Sequence, residues 1–166
     1  MKMIVAVDIT NKEYAIGYKN NLQWHIPQDL KFFKEYTLGK NIIVGRETYN
    51  GLPPLKNRNI FVLTRNKELI DNETYYSKDE ILKMNINEDF IVCGGKQIYI
   101  EFFDEIDEFC INEIYFKNKS LIKKYDTFLL ELFNKIESDK SIVEKEKNII
   151  YEDENYQLIN KILIRK

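Results

Sequence analysis

A buried strand that runs through two glycines into a helix is encoded by residues 89–99, Asp89-Phe90-Ile91-Val92-Cys93-Gly94-Gly95-Lys96-Gln97-Ile98-Tyr99. The apolar run that ends at Cys93 is typical of a central strand covered on both faces. The two glycines end this run, and a helix is predicted from about Lys96 to Phe103. A strand followed directly by a helix is the unit from which parallel α/β sheets are built.

Further apolar runs of strand length lie upstream of this unit. Residues 3–7, 41–44 and 59–63 each predict a buried strand, and residues 73–76 have brief strand character. The polar segment 8–21 is predicted to be a loop. A connection of that length inside a compact domain is more often functional than idle.

Start and stop signals place helices between these strands. One helix is predicted to open at Pro27 and to end near Gly39, because proline is tolerated in a first turn and glycine favours a helix stop. A short helix after residues 45–49 is broken by Pro53-Pro54. The remaining predicted elements are a helix over 78–84 with a Ser77/Glu80 capping box, a strand over 108–114, a charged loop over 116–125, and two strands within 142–164 around a turn at 152–155. The pattern predicts an α/β sheet, parallel in its centre, with an antiparallel hairpin at one edge.

Composition excludes several classes of protein. The 166 residues fit one globular domain, with 44% hydrophobic and 13% aromatic residues. A net charge of -2 does not favour a nucleic-acid or membrane surface. Cys93 and Cys110 lie in apolar runs and are predicted to be reduced, and with a single histidine no metal site is expected. The N-terminal apolar run turns polar at Asp8, too early for a signal peptide, so we expect a cytoplasmic protein.

Three predicted strands end in residues that suit an anionic ligand. Arg46 and Arg65 follow two of the strands, and Gly94-Gly95 follows a third. The carboxyl ends of parallel strands meet at one edge of an α/β sheet, where such sheets bind ligands. Taken singly, each signal also fits an ordinary turn or a solvated arginine, and none is a GxGxxG or Walker motif. Together they predict a phosphate-bearing cofactor at this edge.

One carboxylate is placed among large apolar groups by the stretch Trp24-His25-Ile26-Pro27-Gln28-Asp29-Leu30-Lys31-Phe32-Phe33-Lys34. Asp29 falls in the first turn of the predicted helix, with Leu30 and Phe33 on its side. Burial disfavours the charged form of a carboxylic acid, so Asp29 is a candidate catalytic acid with a raised pKa. The alternative is a surface aspartate stabilised by the helix dipole.

Short motifs follow one another along the chain in a definite order. They are Val5-Ala6-Val7-Asp8, Ile16-Gly17, residues 20–24, Pro27-x-Asp29-Leu30-x-x-Phe33, Gly45-Arg46-x-Thr48, Arg58-Asn59, Leu63-Thr64-Arg65, Gly94-Gly95-x-x-Ile98-Tyr99, Asp126-Thr127 and the closing hairpin. In this order and spacing, from residue 3 to about 165, the chain resembles the dihydrofolate reductase family.

The resemblance implies a fold and a reaction. The fold is a single α/β domain over residues 1–166, with a central, mainly parallel twisted sheet, an antiparallel C-terminal edge hairpin and helices on both faces. The reaction is the NADPH-dependent reduction of 7,8-dihydrofolate to 5,6,7,8-tetrahydrofolate, with hydride passing to pterin C6 and a proton to N5. The implied partners are dihydrofolate and antifolate inhibitors, without nucleic acid or membrane, and the implied state is a monomer.

The resemblance also assigns residues to the site. Asp29 matches the acid that binds the pterin and promotes N5 protonation, and Arg58 matches the residue that holds the glutamate tail. The implied catalytic residues are Asp29, Trp24, Leu22 and Asn112. The implied substrate-binding residues are Val5, Ala6, Asp29, Leu30, Phe33, Leu52, Leu55, Arg58, Cys93 and Tyr99. The implied cofactor-binding residues are Ala6, Ile16, Gly17, Asn20, Gly45, Arg46, Glu47, Thr48, Leu63, Thr64, Arg65, Ser77, Lys78, Gly94, Gly95, Lys96, Gln97, Ile98 and Tyr99. The family also has a cis peptide at Gly94-Gly95.

Several positions depart from the family pattern. Residues 9–16 form a longer segment than in most bacterial relatives, and the chain is shorter between Tyr49 and Pro53, which bears on the Leu52 contact. The other departures are Gln23 in place of a proline, Lys96 in place of a small residue, and Asn112 in place of a threonine that supports the acid. The lone His25 is not taken as catalytic, because its neighbour Trp24 carries the matching role.

Two alternatives are open to test. One is a related NADPH-dependent pyrimidine reductase of riboflavin synthesis, against which Asp29 and Arg58 argue because they match groups that bind the two ends of folate. The other is a non-catalytic nucleotide-binding module, against which the retained Asp29, Thr48 and Tyr99 argue.

Overall fold

Strands and helices alternate along residues 1–19, 21–71, 74–84 and 89–166, the parts of the chain that the computed structural model describes. The strands are β1 (Lys2–Asp8), β2 (Ala15–Gly17), β3 (Asn41–Gly45), β4 (Asn59–Leu63), β5 (Tyr75–Tyr76), β6 (Phe90–Val92), β7 (Glu108–Phe116), β8 (Thr127–Phe128), β9 (Ile142–Glu152) and β10 (Tyr156–Arg165). The helices are α1 (Pro27–Thr37), α2 (Arg46–Gly51), α3 (Lys78–Met84), α4 (Lys96–Glu101) and α5 (Leu130–Ser138). Single 3-10 turns lie at Lys67–Leu69, Phe103–Glu105 and Lys119–Leu121.

One sheet joins these strands in the order β5-β4-β3-β6-β1-β7-β10-β9. Every pairing from β5 through to β7 is parallel, whereas β10 pairs antiparallel with both β7 and β9. This order confirms the predicted mainly parallel sheet with an antiparallel C-terminal hairpin at its edge.

Helices cover both faces of the sheet. Neighbouring residues of a strand point to opposite sides, so the contacts of Ile4 and Val5 in β1 show which helices lie on each face. On one face Val5 of β1 packs in a core with Ile98 of α4 and Leu132 of α5. On the other face Ile4 packs in a second cluster with Phe33 of α1. The prediction of helices on both faces is therefore confirmed. Helices α4 and α5 lie on the first face, and α1, which carries Asp29, lies on the second.

Helix α5 lies in a segment for which no element is predicted. Leu129, Leu132, Phe133 and Ile136 are all buried, and their spacing of three, four and seven residues is that of one helix face. The signal was therefore present in the sequence, in an amphipathic pattern between the charged loop and the C-terminal hairpin.

The predicted loop over 8–21 contains a short strand. β2 pairs with the end of β1 and with β8, so this segment is tied to the sheet. Tyr14 stacks on Phe133 of α5 with ring centroids 3.9 Å apart, and its hydroxyl donates to Glu137 at 2.8 Å. The long segment 9–16 is thus anchored on α5.

Other boundaries differ slightly from the predicted ones. β5 is shorter than the predicted 73–76, of which residue 73 lies outside the described parts of the chain. β7 extends beyond Ile114 to Phe116, because β10 continues to pair with it there. Among the described helices, none has the length and hydropathy required to cross a membrane.

Candidate active site

The carboxyl ends of β3, β4 and β6 meet at one edge of the sheet, as the strand-end pattern predicts. The Gly45 amide donates to the Gly94 carbonyl at 2.7 Å, so the two strand ends are in direct contact. The Gly94-Gly95 peptide is cis, and a Cβ on Gly94 (φ 112°) would lie 2.9 Å from the Tyr99 hydroxyl. A Cβ on Gly95 would lie 3.1 Å from Thr48 Oγ1. Glycine is therefore required where β6 turns into α4.

Asp29 occupies the first turn of α1, on the face of the sheet away from α4 and α5. Pro27 stands at the start of the helix, where its missing N–H has no intrahelical partner to lose. The carboxylate is buried, with 5% of the residue exposed. This excludes the alternative of an exposed aspartate that is held only by the helix dipole.

Two side-chain N–H groups donate to the Asp29 carboxylate. Asn112 Nδ2 donates to Oδ1 at 2.8 Å, and Trp24 Nε1 donates to Oδ2 at 3.3 Å. Burial raises the pKa of the Asp29 carboxyl above its ordinary value of 3.8, while the two hydrogen bonds oppose that rise by favouring the ionised form. The carboxyl group is therefore shielded from solvent and is held in place by two hydrogen-bond donors.

A second asparagine stands behind Asn112. Asn160 of β10 is the cross-strand partner of Asn112 of β7, and both are buried. Asn160 Nδ2 donates to Asn112 Oδ1 at 2.8 Å and also lies 3.3 Å from Cys110 Sγ. Asn160 is not among the residues predicted from the sequence. Its signal is a polar residue on a strand face whose neighbours, Leu158 and Ile162, are apolar.

An apolar wall continues from Asp29 along this face. Phe33, Leu55 and Cys93 are partly buried in the same cluster as Ile4. Ile4 is absent from the predicted site, yet its carbonyl accepts a hydrogen bond from the Tyr99 hydroxyl at 2.9 Å.

Some predicted lining residues are placed differently. The Val5 side chain points to the opposite face, into the core with α4 and α5, because strand residues alternate. Ala6 remains on the Asp29 face, where it packs near Trp24. Leu52 is half-buried, whereas Leu22 and Leu30 are exposed, at 53% and 42%.

Arg58 is oriented by three acceptors. Its Nε donates to Thr37 Oγ1 at 2.8 Å, and its terminal nitrogens donate to the carbonyls of Lys56 and Lys34, each at 2.7 Å. A guanidinium has five N–H groups, so one remains on each terminal nitrogen. These N–H groups are available to the oxygens of a carboxylate from outside the protein.

The cofactor half of the predicted site is open to solvent and is lined mainly by residues with polar or charged side chains. A cleft of about 510 Å³ is lined by Thr64, Arg65, Lys67, Ile70, Ser77, Lys78, Asp79 and Glu101. Arg65 donates to the side-chain oxygen of Gln97 at 3.0 Å, which links the ends of β4 and α4. Lys67, Ile70, Asp79 and Glu101 are not among the predicted residues. Lys67 and Ile70 lie in the turn after β4, which carries no recognisable motif.

The ammonium of Lys78, a predicted cofactor residue, is turned toward its own protein. It donates to the Glu101 carbonyl at 2.7 Å and pairs with Glu105 at 2.9 Å. Ser77 likewise forms the predicted capping box, in which its amide and hydroxyl both donate to Glu80 at 2.8 Å. Both residues line the cleft, but their polar atoms already have partners.

The other predicted cofactor residues separate into exposed and buried groups. Arg46, Glu47, Lys96 and Gln97 are exposed at the starts of α2 and α4, and Thr48 is half-buried beside them. The side chains of Leu63 and Ile98 are buried in the core.

The segment that leads to Trp24 is fastened to the loop before β8. The Lys19 amide donates to Asp126 Oδ2 at 2.9 Å, and the Asp126 amide donates to the Gly17 carbonyl at 3.0 Å. Tyr125 donates to buried Asp8 at 2.6 Å, and its ring lies 6.4 Å from that of Trp24. Ile16 is half-buried in β2. The predicted cofactor residue Asn20 lies outside the described residues.

Comparison with known proteins agrees with this architecture. Residues 2–158 match the family model described as dihydrofolate reductase. A dihydrofolate reductase of Enterococcus faecium is 29% identical over 97% of this chain and 100% of its own, and one of Buchnera aphidicola is 32% identical over 70% of this chain and 80% of its own. The solved structure of a dihydrofolate reductase from Enterococcus faecalis, complexed with NADP(H) and RAB-propyl, superposes with a TM-score of 0.81 at 26% identity, over 99% of this chain and 95% of that one. The chain therefore belongs to the dihydrofolate reductase family.

Proposed function

We propose that this protein reduces 7,8-dihydrofolate to 5,6,7,8-tetrahydrofolate with NADPH as the hydride donor. The observation that carries the proposal is the buried Asp29 carboxyl, which stands beside an apolar wall at the carboxyl edge of the sheet. A solitary acid in dry surroundings suits a reaction that needs one proton on a heterocycle otherwise bound by apolar contacts.

The residues around the cleft fit a phosphate-bearing dinucleotide. Glycines at 45, 94 and 95 lie so close to the side chains of Ile98, Tyr99 and Thr48 that a Cβ would not fit, which lets the ends of β3 and β6 approach α4 closely at this edge. Arg46 and Arg65 are exposed cations at the ends of β3 and β4, and Arg65 answers the charge of a 2′-phosphate, which favours NADPH over NADH. When bound here, NADPH supplies the hydride that the pterin C6 receives.

Asp29 binds the pterin and promotes protonation at N5. In its ionised form the carboxylate accepts hydrogen bonds from the pterin 2-amino group and N3, and in its acid form it is the source of the proton, directly or through water. A positioned acid of this kind contributes about 10²–10⁴-fold to a rate. Trp24 and Asn112 hold both carboxylate oxygens in place while this happens.

Arg58 takes the α-carboxylate of the glutamate tail. Its terminal nitrogens keep N–H groups that can pair with such a carboxylate, and Phe33 and Leu55, which pack against the apolar cluster of Ile4, would contact the part of the substrate between its two ends. The same apolar wall and acid would bind antifolate inhibitors.

The test is NADPH oxidation with two substrates offered side by side. We expect turnover with dihydrofolate, no turnover with the ribosylamino-pyrimidine of riboflavin synthesis, and inhibition by an antifolate. Turnover with the pyrimidine alone would assign the protein to the related reductase. Tight NADPH binding with no turnover and no antifolate effect would assign it to a non-catalytic module.

The proposal includes a monomeric protein of the cytoplasm that does not bind nucleic acid. The two free cysteines fit the reducing cytoplasm, and the net charge of -2 does not favour binding to nucleic acid. Light scattering across a range of protein concentrations tests the first part, and a dimer at low concentration would contradict it.

A further inference from the structure

A single polar pair interrupts the apolar ladder between β7 and β10. On the face that carries Asp29, Cys110 opposes Ile162, Asn112 opposes Asn160, and Ile114 opposes Leu158. The two asparagines are 1% and 5% exposed. A buried carboxamide is costly unless its polar atoms are paired, so a pair at this position calls for an explanation beyond packing.

The hydrogen bonds of this pair fix which end of Asn112 faces the acid. Asn160 Nδ2 donates to Asn112 Oδ1 at 2.8 Å, and this leaves Asn112 Nδ2 to donate to Asp29 Oδ1 at 2.8 Å. If the Asn112 amide turned over, its oxygen would face the carboxylate and its NH₂ would face the Asn160 NH₂. Asn160 keeps its own orientation through a second contact of Nδ2, 3.3 Å from Cys110 Sγ, so both contacts of Asn112 would then be lost. The donor on Asn160 therefore selects the orientation in which Asn112 donates to Asp29.

We infer that Asn160 is a positioning residue for Asp29, which acts from the C-terminal hairpin through the Asn112 amide to keep an N–H donor on the carboxylate. It does not touch the acid or a ligand. Its catalytic consequence rests on the proposed function, whereas its effect on Asp29 does not.

Burial raises the pKa of Asp29, and this donor chain is one of two hydrogen-bond contacts that oppose the rise. In the part of the chain that the structure describes, the buried titratable groups that interact electrostatically with Asp29 are the Tyr99 hydroxyl from α4 and the Cys110 thiol from β7. Burial raises the pKa of Tyr99 well above its ordinary value and the pKa of Cys110 to about 12, so both are neutral at physiological pH. The side chains that donate to the carboxylate, Trp24 and Asn112, are neutral as well.

The direct test is the titration of the Asp29 carboxyl carbon by NMR in the protein without ligands. In Asn160→Ala the Asn112 amide is free to turn, so the ionised carboxylate loses part of its donor and should titrate about one pH unit higher than in the wild type. An unchanged titration would overturn the inference.

A double substitution separates positioning from a general disturbance of the hairpin. In an Asn112→Ala background there is no amide left to orient. Adding Asn160→Ala to that background should therefore shift the pKa of Asp29 by less than about a third of the shift that Asn160→Ala causes in the wild type. Equal shifts in both backgrounds would show that Asn160 acts on Asp29 by another route, and this would contradict the inference.

Two further variants control for indirect effects. Asn148→Ala removes an exposed carboxamide from β9 at the position paired with Asn160, and it should leave the Asp29 titration unchanged. Asn160→Leu fills the buried position with an apolar side chain like its neighbours Leu158 and Ile162, and it should reproduce the shift of Asn160→Ala even if the alanine variant folds poorly. A shift in Asn148→Ala, or none in a folded Asn160→Leu, would overturn the inference.

Single-turnover hydride transfer then connects the inference to activity. The pH midpoint of the rate should move upward with the Asp29 titration in Asn160→Leu. A shifted titration with no dihydrofolate reduction in the wild type would refute the proposed function and leave the positioning intact. A shifted rate profile with an unshifted titration would refute the positioning alone.

Discussion

The acid side and the cofactor cleft of this site are built in opposite ways. Around Asp29 the polar groups are buried and already bonded to one another, through Trp24, Asn112 and Asn160. At the cleft Arg65 and Lys67 are exposed, and Arg65 is bonded to another exposed side chain, that of Gln97. One half is arranged before any ligand arrives, and the other presents charge to water.

This difference follows from what each half must recognise. A proton donor needs a fixed geometry and a dry environment, because both its pKa and its alignment depend on them. A phosphate is recognised by charge, which acts at the surface and tolerates mobile side chains. Substitutions on the acid side should therefore change the rate of chemistry, and those in the cleft should change affinity.

The largest effect is expected for Asp29→Asn. Hydride transfer at neutral pH should fall about 10²–10⁴-fold, because the amide cannot supply the proton. NADPH affinity should be nearly unchanged, since the acid lies apart from the cofactor cleft. Stopped-flow hydride transfer and NADPH fluorescence titration measure the two quantities, and a variant of near-normal turnover would refute the role of Asp29.

Arg58→Leu should have the next largest effect. The KM for dihydrofolate should rise about 10- to 100-fold with little change in kcat, because a charge-assisted fork to the tail is lost while the reacting ring is untouched. Steady-state kinetics measure both constants. Lys31→Leu serves as the control, because Lys31 is an exposed cation on α1, the helix whose Lys34 carbonyl accepts a hydrogen bond from Arg58. Equal affinity of the wild type for pteroate and folate would contradict the assignment.

Arg65→Ala tests the cleft. The KM for NADPH should rise about tenfold and that for NADH should change little, because the 2′-phosphate alone meets this charge. The effect should shrink as salt is added, since an exposed charge is screened. Lys83→Ala, an exposed cation on α3, provides the matched control. A parallel loss for both nucleotides would show that Arg65 does not read the phosphate.

The smallest effect concerns stability. The folded-state pKa of Asp29 is raised, so its contribution to stability is fully present below the ordinary pKa of 3.8 and is lost as pH rises through the folded value. Each unit of that rise is worth about 1.4 kcal/mol. The free energy of unfolding of Asp29→Asn should therefore increase, relative to that of the wild type, from acid to neutral pH. Urea titrations at several pH values measure it, and a constant difference would contradict a raised pKa.

Sequence patterns were sufficient for the features that depend on neighbours along the chain. The buried runs located the central strands, Pro27 located the start of α1, and Ser77 with Glu80 located the start of α3. Features that depend on partners far along the chain were missed. Asn160 reaches Asn112 only through the register of β10 on β7. The packing of Val5 into the core and the ion pair of Lys78 with Glu105 likewise depend on distant partners.

The pH dependence of single-turnover hydride transfer tests the role of Asp29 most directly. In the wild type the rate should be highest at low pH and decline as Asp29 ionises, because the acid form supplies the proton. In Asp29→Asn that decline should vanish, leaving a slow and nearly flat profile. A decline of the same midpoint in both proteins would mean that another group delivers the proton, and it would contradict the assignment of Asp29 as the catalytic acid.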